Sequence, residues 1–403
     1  MRISLIGVGM GNPDTLTLGA LKAIENAQLI IGAPRLLESL SHLCKGEIYS
    51  TISPDEIKSI IDERQNLETT AVLMSGDLGF YSGANKLLPL LSGYEVETIS
   101  GITTVSYLAA KLCKPWQDVK LVSAHGTDCN VLAAVLSAKE VFFLTGGKIS
   151  PRDIINELNN AGLGNAEVSV GANLSYPDEM IVTDKAAALK NRDFPPLSAL
   201  WVKREDFEDN FSISTGLADE NFIRGEVPMT KSEVRAAVIS KLRPSKRDVI
   251  YDIGAGTGSV SIELSRLSPE IKVFAVECLP EGWELIEKNR EKFSAYNLTL
   301  VKGMAPKVME NLPAPHCAFI GGSRGNMGEI LESLLGKNPA VRIVISAIAA
   351  ETLGQALTSL KELGFKNIEI SQISISRSKA VSDYHLMMGQ NPVFLLSGEG
   401  RGV

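Results

Sequence analysis

The stretch YDIGAGTGSVSIE (251–263) decides how the second half of this 403-residue chain folds. An apolar run over 249–253 leads into Gly254, Gly256 and Gly258, and a helical period begins at Ser259. Glycines at a strand-to-helix turn let the backbone approach a ligand, and the helix N-terminus offers unpaired N–H groups to an anion. The next apolar run, 272–277, ends in Glu277, at the distance where an acid meets ribose hydroxyls. The glycine spacing is G-x-G-x-G, whereas a dinucleotide fingerprint is G-x-G-x-x-G.

From this stretch the pattern runs outward as alternating strands and helices. Strands are predicted over 249–253, 272–277, 298–302, 317–320, 342–348, 367–374 and 392–396, with helices over 259–267, 279–293 and 351–363. The last two strands have no helical pattern between them. The link RSKAVSDYHLMMGQN (377–391) favours antiparallel pairing there.

Upstream, ISLIGVGMGNPDTLT (3–17) presents a second glycine cluster, Gly7, Gly9 and Gly11. A dinucleotide cradle requires the helix to start at the glycines and the second strand to end in an acid. Here Asn12-Pro13-Asp14 intervene, the N-cap falls at Thr15 or Thr17, and the second strand ends at Gly32. The first half otherwise reads as α/β, with strands over 3–8, 28–31, 70–74, 95–99, 120–123, 141–144, 167–172 and 199–203. Helices are predicted over 18–26, 83–91, 131–136 and 151–161. The polar stretch 203–228 lacks an apolar period and reads as a linker. The expected division is a domain over 1–205, a linker over 206–225 and a domain over 226–403.

Length alone favours two domains. Apolar residues at 44% and charged residues at 22% give a globular balance. No apolar run reaches the roughly 18 residues of a membrane helix. Met1-Arg2 leads directly into a strand pattern, so no signal peptide and a cytoplasmic location are expected. The five cysteines show no metal-ligand spacing, and no metal is expected. A net charge of −7 disfavours general nucleic-acid binding while leaving room for a local basic cleft.

Four motifs in register, VPMTKSEVRA (227–236), DIGAGTGSVSIE, KGMAP (302–306) and FIGGSRG (319–325), closely resemble a class I S-adenosylmethionine methyltransferase domain of the cobalamin pathway. That domain acts on C15 of precorrin-6B with decarboxylation. The resemblance implies a seven-stranded Rossmann-like sheet with an antiparallel last strand. It implies cofactor contacts at Thr230, Gly254, Ala255, Gly256, Thr257, Gly258, Glu277 and Ala305. Met304 and Ala347 depart from the family pattern, which often has an acid and an Asn there.

In the first half, the entry glycines with SGDLGFYSGA (75–84), SGITTVSYLAAKL (100–112) and VSAHG (122–126) resemble the tetrapyrrole methylases, a fold of two α/β subdomains. That resemblance implies C5 methylation, with Asp77, Phe80, Thr103 and Thr104 touching the cofactor. Gly9 and Gly11 would shape a trough for the macrocycle. Leu78 and Ser100 stand where the family has Pro.

Together the halves resemble the bifunctional decarboxylating precorrin methyltransferases that act at C5 and C15. The expected product is precorrin-8X, made with two S-adenosylmethionines, one per domain. Alternatives are a chain in which only the C-terminal half is catalytic, and a cobalt-containing substrate. Self-association as a dimer or tetramer is implied by resemblance. Because the substrate carries many carboxylates, a basic rim is expected from Lys231, Arg235, Arg324, Arg377 and Lys379, with Gly321, Gly322 and Ser323 beside it. His125, Arg324 and Glu351 are the candidate catalytic groups, and no acid or base is assigned among them.

Overall fold

The computed structural model describes residues 1–124, 129–209, 211 and 214–402. The chain divides into two compact units. One contains Met1–Val131, Ala138–Asn160 and Gly164–Asp206; the other contains Leu132–Ser137, Ala161–Leu163 and Phe207–Val403.

The first unit holds two five-stranded sheets. In the first lie β1 (Arg2–Gly7), β2 (Leu29–Gly32), β3 (Glu47–Ser50), β4 (Thr69–Met74) and β5 (Glu95–Ile99), in the order β3-β2-β4-β1-β5 and all parallel. Ile3 and Leu5 of β1 pack on one face and Ile6 on the other. A parallel strand buried on both faces needs this continuous apolar run. The second sheet, β6 (Lys120–Ser123), β7 (Glu140–Leu144), β8 (Glu167–Ala172), β9 (Met180–Lys185) and β10 (Ser198–Lys203), has the mixed order β6-β7-β10-β8-β9. Two α/β subdomains were expected, and two sheets are present.

The second unit is built on one seven-stranded sheet. Its strands are β11 (Val249–Ile253), β12 (Lys272–Glu277), β13 (Leu298–Lys302), β14 (Cys317–Ile320), β15 (Arg342–Ala347), β16 (Lys366–Ile373) and β19 (Val393–Glu399). The order is β13-β12-β11-β14-β15-β19-β16, with β19 antiparallel to both neighbours, as expected. Between β16 and β19 the chain forms a separate two-stranded hairpin of β17 (Ser376–Val381) and β18 (Tyr384–Gly389). Helices including Ser232–Leu242, Ser259–Ser265, Pro280–Lys292, Met327–Lys337 and Ala350–Glu362 connect or flank these strands.

The strands β9, β17 and β18 were not expected, and three further differences have local reasons. The strand β3 (EIYS) is a largely exposed edge strand with too little apolar pattern to announce itself. The helix expected over 83–91 breaks into Ala84–Leu87 and a tighter 3-10 turn at Leu88–Leu91, where Pro89 has no amide to donate. The linker segment is not a free tether throughout. Asp219–Asn221 forms a 3-10 turn, and Phe222 is buried with Val234, Val238 and Val260. One aromatic residue and one buried acid suffice to dock it, and neither makes a period.

Candidate functional site

At the carboxyl end of β11, Gly254 has φ +75, in the left-handed region. A methyl group there would stand 2.7 Å from the Gly322 amide nitrogen and 2.8 Å from its carbonyl oxygen. The loops after β11 and β14 therefore touch backbone to backbone, which only glycine permits. The amides of Gly254 and Ala255 both donate to the Val276 carbonyl, at 2.9 and 3.1 Å. Glu277 follows Val276 and is buried. Its Oε2 accepts the Gly256 amide, and its Oε1 accepts the amides of Cys278 and Leu279, each at 2.8 Å. Three amides hold the acid in one rotamer against the glycine loop, and Oε2, which accepts one of them, can accept a further bond.

These loops open on a cavity of about 430 Å³. Of the residues implicated by the sequence, Thr230, Lys231, Gly254, Ala255, Gly256, Glu277, Met304, Ala305, Gly321, Gly322, Ser323 and Arg324 all line it. Thr257 and Gly258 do not. Thr257 is fully buried behind the loop, and Gly258 caps the helix Ser259–Ser265.

The arginines divide sharply. Arg235 was expected on the substrate rim, and the structure overturns this. Its side chain is closed to solvent, with Nη1 2.8 Å from Asp219 and Nε 2.7 Å from Glu263. It also donates to the carbonyl oxygens of Thr230 and Leu217. Arg377 is likewise committed, to Asp219 at 2.8 Å, to Ser232 at 3.0 Å and to Glu233, and it does not line the cavity. Arg324 is the contrast. It is exposed at the cavity wall with φ +48, and among the described residues it makes no ion pair. A non-glycine residue in that conformation is backbone strain at the site.

Glu351 lies exposed in the first turn of the helix Ala350–Glu362 and is not part of the cavity wall. His125 lies outside the described residues.

The sequence did not single out Asp252. It lines the cavity yet has no solvent exposure. Its Oδ2 accepts the Ser261 hydroxyl, while Oδ1 has no hydrogen-bond partner among the described residues. Burial pushes its carboxyl up to about 7. An acid inside the otherwise apolar strand VIYDI is the signal that could have found it. Ser346, Ile348, Ile375, Gln390 and Asn391 also line the cavity. They come from the ends of late strands, where no motif marks them.

In the first unit, the loops at the carboxyl ends of β1, β4 and β5 meet. A methyl group on Gly101 would stand 2.4 Å from the carbonyl oxygens of both Gly7 and Gly76. Gly9 and Gly76 exchange backbone hydrogen bonds, at 3.2 and 2.6 Å. Asp77 ties the loops together: Oδ1 accepts the Gly79 amide at 2.8 Å and Oδ2 the Gly101 amide at 3.1 Å. Thr103 caps the helix Thr104–Lys111, its hydroxyl accepting the Ser106 amide at 3.1 Å. Phe80 packs between Tyr81 and Phe142, with centroids at 4.9 and 6.3 Å. The entry glycines thus serve close backbone packing first.

Comparison with known proteins follows the same division. Residues 2–190 match the tetrapyrrole (corrin/porphyrin) methylases, and residues 221–398 match the precorrin methyltransferase domain. A precorrin-6Y C(5,15)-methyltransferase [decarboxylating] of Sinorhizobium sp is 28% identical over 371 residues, 91% of this chain and 90% of that protein. A probable cobalt-precorrin-6B C(15)-methyltransferase (decarboxylating) of Saccharolobus solfataricus is 38% identical over 189 residues, 46% of this chain and 95% of that protein. The crystal structure of a precorrin-6y C5,15-methyltransferase from Geobacter metallireducens is 36% identical and covers 46% of this chain and 95% of that one, with a TM-score of 0.44. Among the described residues, no helix is long and apolar enough to cross a membrane.

Proposed function

We propose a division of labour within a chain that belongs to the family of decarboxylating precorrin methyltransferases, the S-adenosylmethionine-dependent enzymes of cobalamin biosynthesis. The chain methylates a tetrapyrrole precorrin and removes a carboxyl group from it. Its second unit methylates C15 of precorrin-6B and releases the C12 acetate carboxyl as carbon dioxide; its first unit methylates C5. Two molecules of S-adenosylmethionine are consumed per turnover, one in each unit, and the product is precorrin-8X.

The observation that carries this is the cavity of the second unit, where a glycine loop, a pinned acid and an unpaired arginine share one wall. When bound, S-adenosylmethionine supplies a methyl group on a sulfonium, already a strong electrophile. The residues present fit it. Asp252 Oδ1 is buried with no donor, and an ammonium would supply one. Glu277 Oε2 keeps acceptor capacity for a ribose hydroxyl. The Gly254–Gly322 contact leaves no side chain between the loops.

What the chain itself contributes is alignment and exclusion of water. Thr230 and Met304 line the cavity on segments distinct from the glycine loop. Arg324 holds a substrate carboxylate, since its fork meets no acid among the described residues. The electron pair left by decarboxylation passes into the macrocycle's own conjugated imine, so no buried base is required. In the first unit, Asp77, Phe80, Thr103 and Thr104 lie along the cofactor, and Gly9 and Gly11 floor the trough.

Self-association is part of the same proposal. The hairpin β17–β18 exposes Tyr384, Leu386, Met387 and Met388, each more than half open to solvent. An apolar patch of this kind suits a second copy of the chain.

Calorimetric titration of the full chain with S-adenosylmethionine tests the division. Two sites per chain support it. One site means that only one half is catalytic, and the proposal then fails for the first unit. Comparing turnover of precorrin-6B with that of its cobalt complex identifies the substrate form.

A further inference from the structure

The glycine-rich entry of the first unit adjoins a guanidinium that meets no acid among the described residues. Arg35 follows β2 and is half-buried. Its Nη1 donates to the Met10 carbonyl oxygen at 3.0 Å and to the Tyr176 hydroxyl, and its Nη2 donates to Ser75 Oγ at 3.4 Å. The Tyr176 ring lies 5.5 Å from the guanidinium, and its hydroxyl donates to the same Met10 carbonyl at 2.6 Å. All these partners are neutral. Among the described residues Arg35 forms no ion pair, whereas Arg64, Arg152, Arg235 and Arg377 each meet an acid.

A guanidinium drawn partly out of water without a counter-charge is costly. Here the cost is accepted at a particular place. Met10, Arg35 and Ser75 follow β1, β2 and β4, three neighbouring parallel strands. The crevice outside the carboxyl ends of parallel strands is where open α/β sheets bind ligands. Gly11 keeps the adjoining space clear: a methyl group there would stand 3.0 Å from the Tyr176 hydroxyl and 3.9 Å from Arg35 Nη1. On the same loop as Tyr176, Ser175 Oγ is buried and has no hydrogen-bond partner among the described residues. Its carbonyl is held by Asn12 Nδ2 at 2.8 Å, from the same entry motif.

We infer that Arg35 binds a carboxylate of the tetrapyrrole in the first unit. Met10 and Tyr176 orient the fork from one side. The Nε hydrogen and the second Nη2 hydrogen, which have no acceptor among the described residues, are left for the anion. This rests on the proposal that the first unit seats the macrocycle for C5 methylation. It adds what that proposal lacked, a cation in this half of the chain.

The test uses the full chain with precorrin-6B, following C5 methylation separately from C15 methylation and carbon dioxide release. Arg35→Gln is expected to raise KM for the tetrapyrrole in C5 methylation by about tenfold to a hundredfold, the size of one charge-assisted contact. Its kcat changes little. Arg35→Lys restores only part, because an ammonium lacks the fork. Binding of the methyl-esterified tetrapyrrole supplies a readout that folding alone would not move. The wild type should prefer the free acid, and Arg35→Gln should lose much of that preference. Tyr176→Phe keeps the charge but loosens its aim, and should give a smaller rise in KM. An unchanged KM together with an unchanged acid-to-ester preference in Arg35→Gln would overturn the inference. Thr104→Trp, which crowds the proposed cofactor rim, separates the two layers. If C5 methylation survives it, the assignment of C5 to the first unit falls, whatever Arg35 does.

Discussion

Arg235 Nη1 stands 2.8 Å from Asp219 Oδ1, and both side chains are closed to solvent. The same guanidinium meets Glu263 and the Thr230 carbonyl. Removing it strands the buried Glu263 carboxylate and leaves Asp219 to Arg377 alone. Arg235→Ala is expected to destabilise the second unit by about 3–5 kcal/mol, the usual result of breaking a buried pair from one side. Urea denaturation measures the loss. Cofactor affinity should fall with it, since Thr230 forms part of the cavity wall. A fully stable Arg235→Ala protein would show that the pair does not hold the segment.

Arg324 should behave in the opposite way. It is exposed and without an ion pair, so Arg324→Ala leaves stability within about 0.5 kcal/mol. The KM for the tetrapyrrole in C15 methylation should rise about tenfold or more, with cofactor affinity unaltered. Steady-state kinetics alongside calorimetry check both halves of this statement. Unchanged kinetics would remove Arg324 from the site.

Gly254→Ala places a methyl group 2.7 Å from the Gly322 backbone, at a φ that L residues rarely adopt. Neither backbone can retreat without moving its strand end. One of the two calorimetric cofactor sites should disappear, along with C15 methylation and carbon dioxide release. Retention of both sites would place the cofactor elsewhere.

Two acids of the second unit titrate in opposite senses. Burial raises the Asp252 carboxyl to about 7, above its unfolded value. Its contribution to stability is complete at low pH and is lost as pH rises toward 7. A cationic ligand group beside it favours the ionised form. Cofactor affinity should therefore improve as pH climbs to about 7 and then level off. Asp252→Asn should flatten that profile. Asp219 is the reverse: burial opposes its charge, but Arg377 and Arg235 together bring its carboxyl below the ordinary range. The stability it contributes persists above the ordinary carboxylate range and is lost as acid protonates it. Calorimetric titration across pH in the wild type and Asp252→Asn is the measurement. Identical profiles would mean that Asp252 does not face the bound cofactor.

The hairpin offers a simple check on assembly. Leu386→Ser with Met388→Ser should reduce self-association, read by sedimentation, without lowering thermal stability. Both residues are exposed, so the fold loses no core from their replacement. If the doubly substituted protein sediments as the wild type does, the hairpin is not the contact.

The sequence by itself determined the strand-loop-helix units and the order of the two halves. Strands β11 to β14 run over the residues that their apolar runs predict, because period and glycine placement act within a few residues. The two clusters share one glycine spacing and were separated by the helix start and the strand-ending acid, which are local features too. Tertiary structure decided the rest. It took folding to show that Gly7 packs against the backbones of Gly76 and Gly101, which come from two other strand ends. It took folding to sort the arginines as well. Arg235 and Arg377 converge on Asp219 from distant parts of the chain and are neutralised there, while Arg324 and Arg35 meet no acid among the described residues. Charge is written in the sequence, but whether a charge is free for a ligand depends on which distant residue the fold brings beside it.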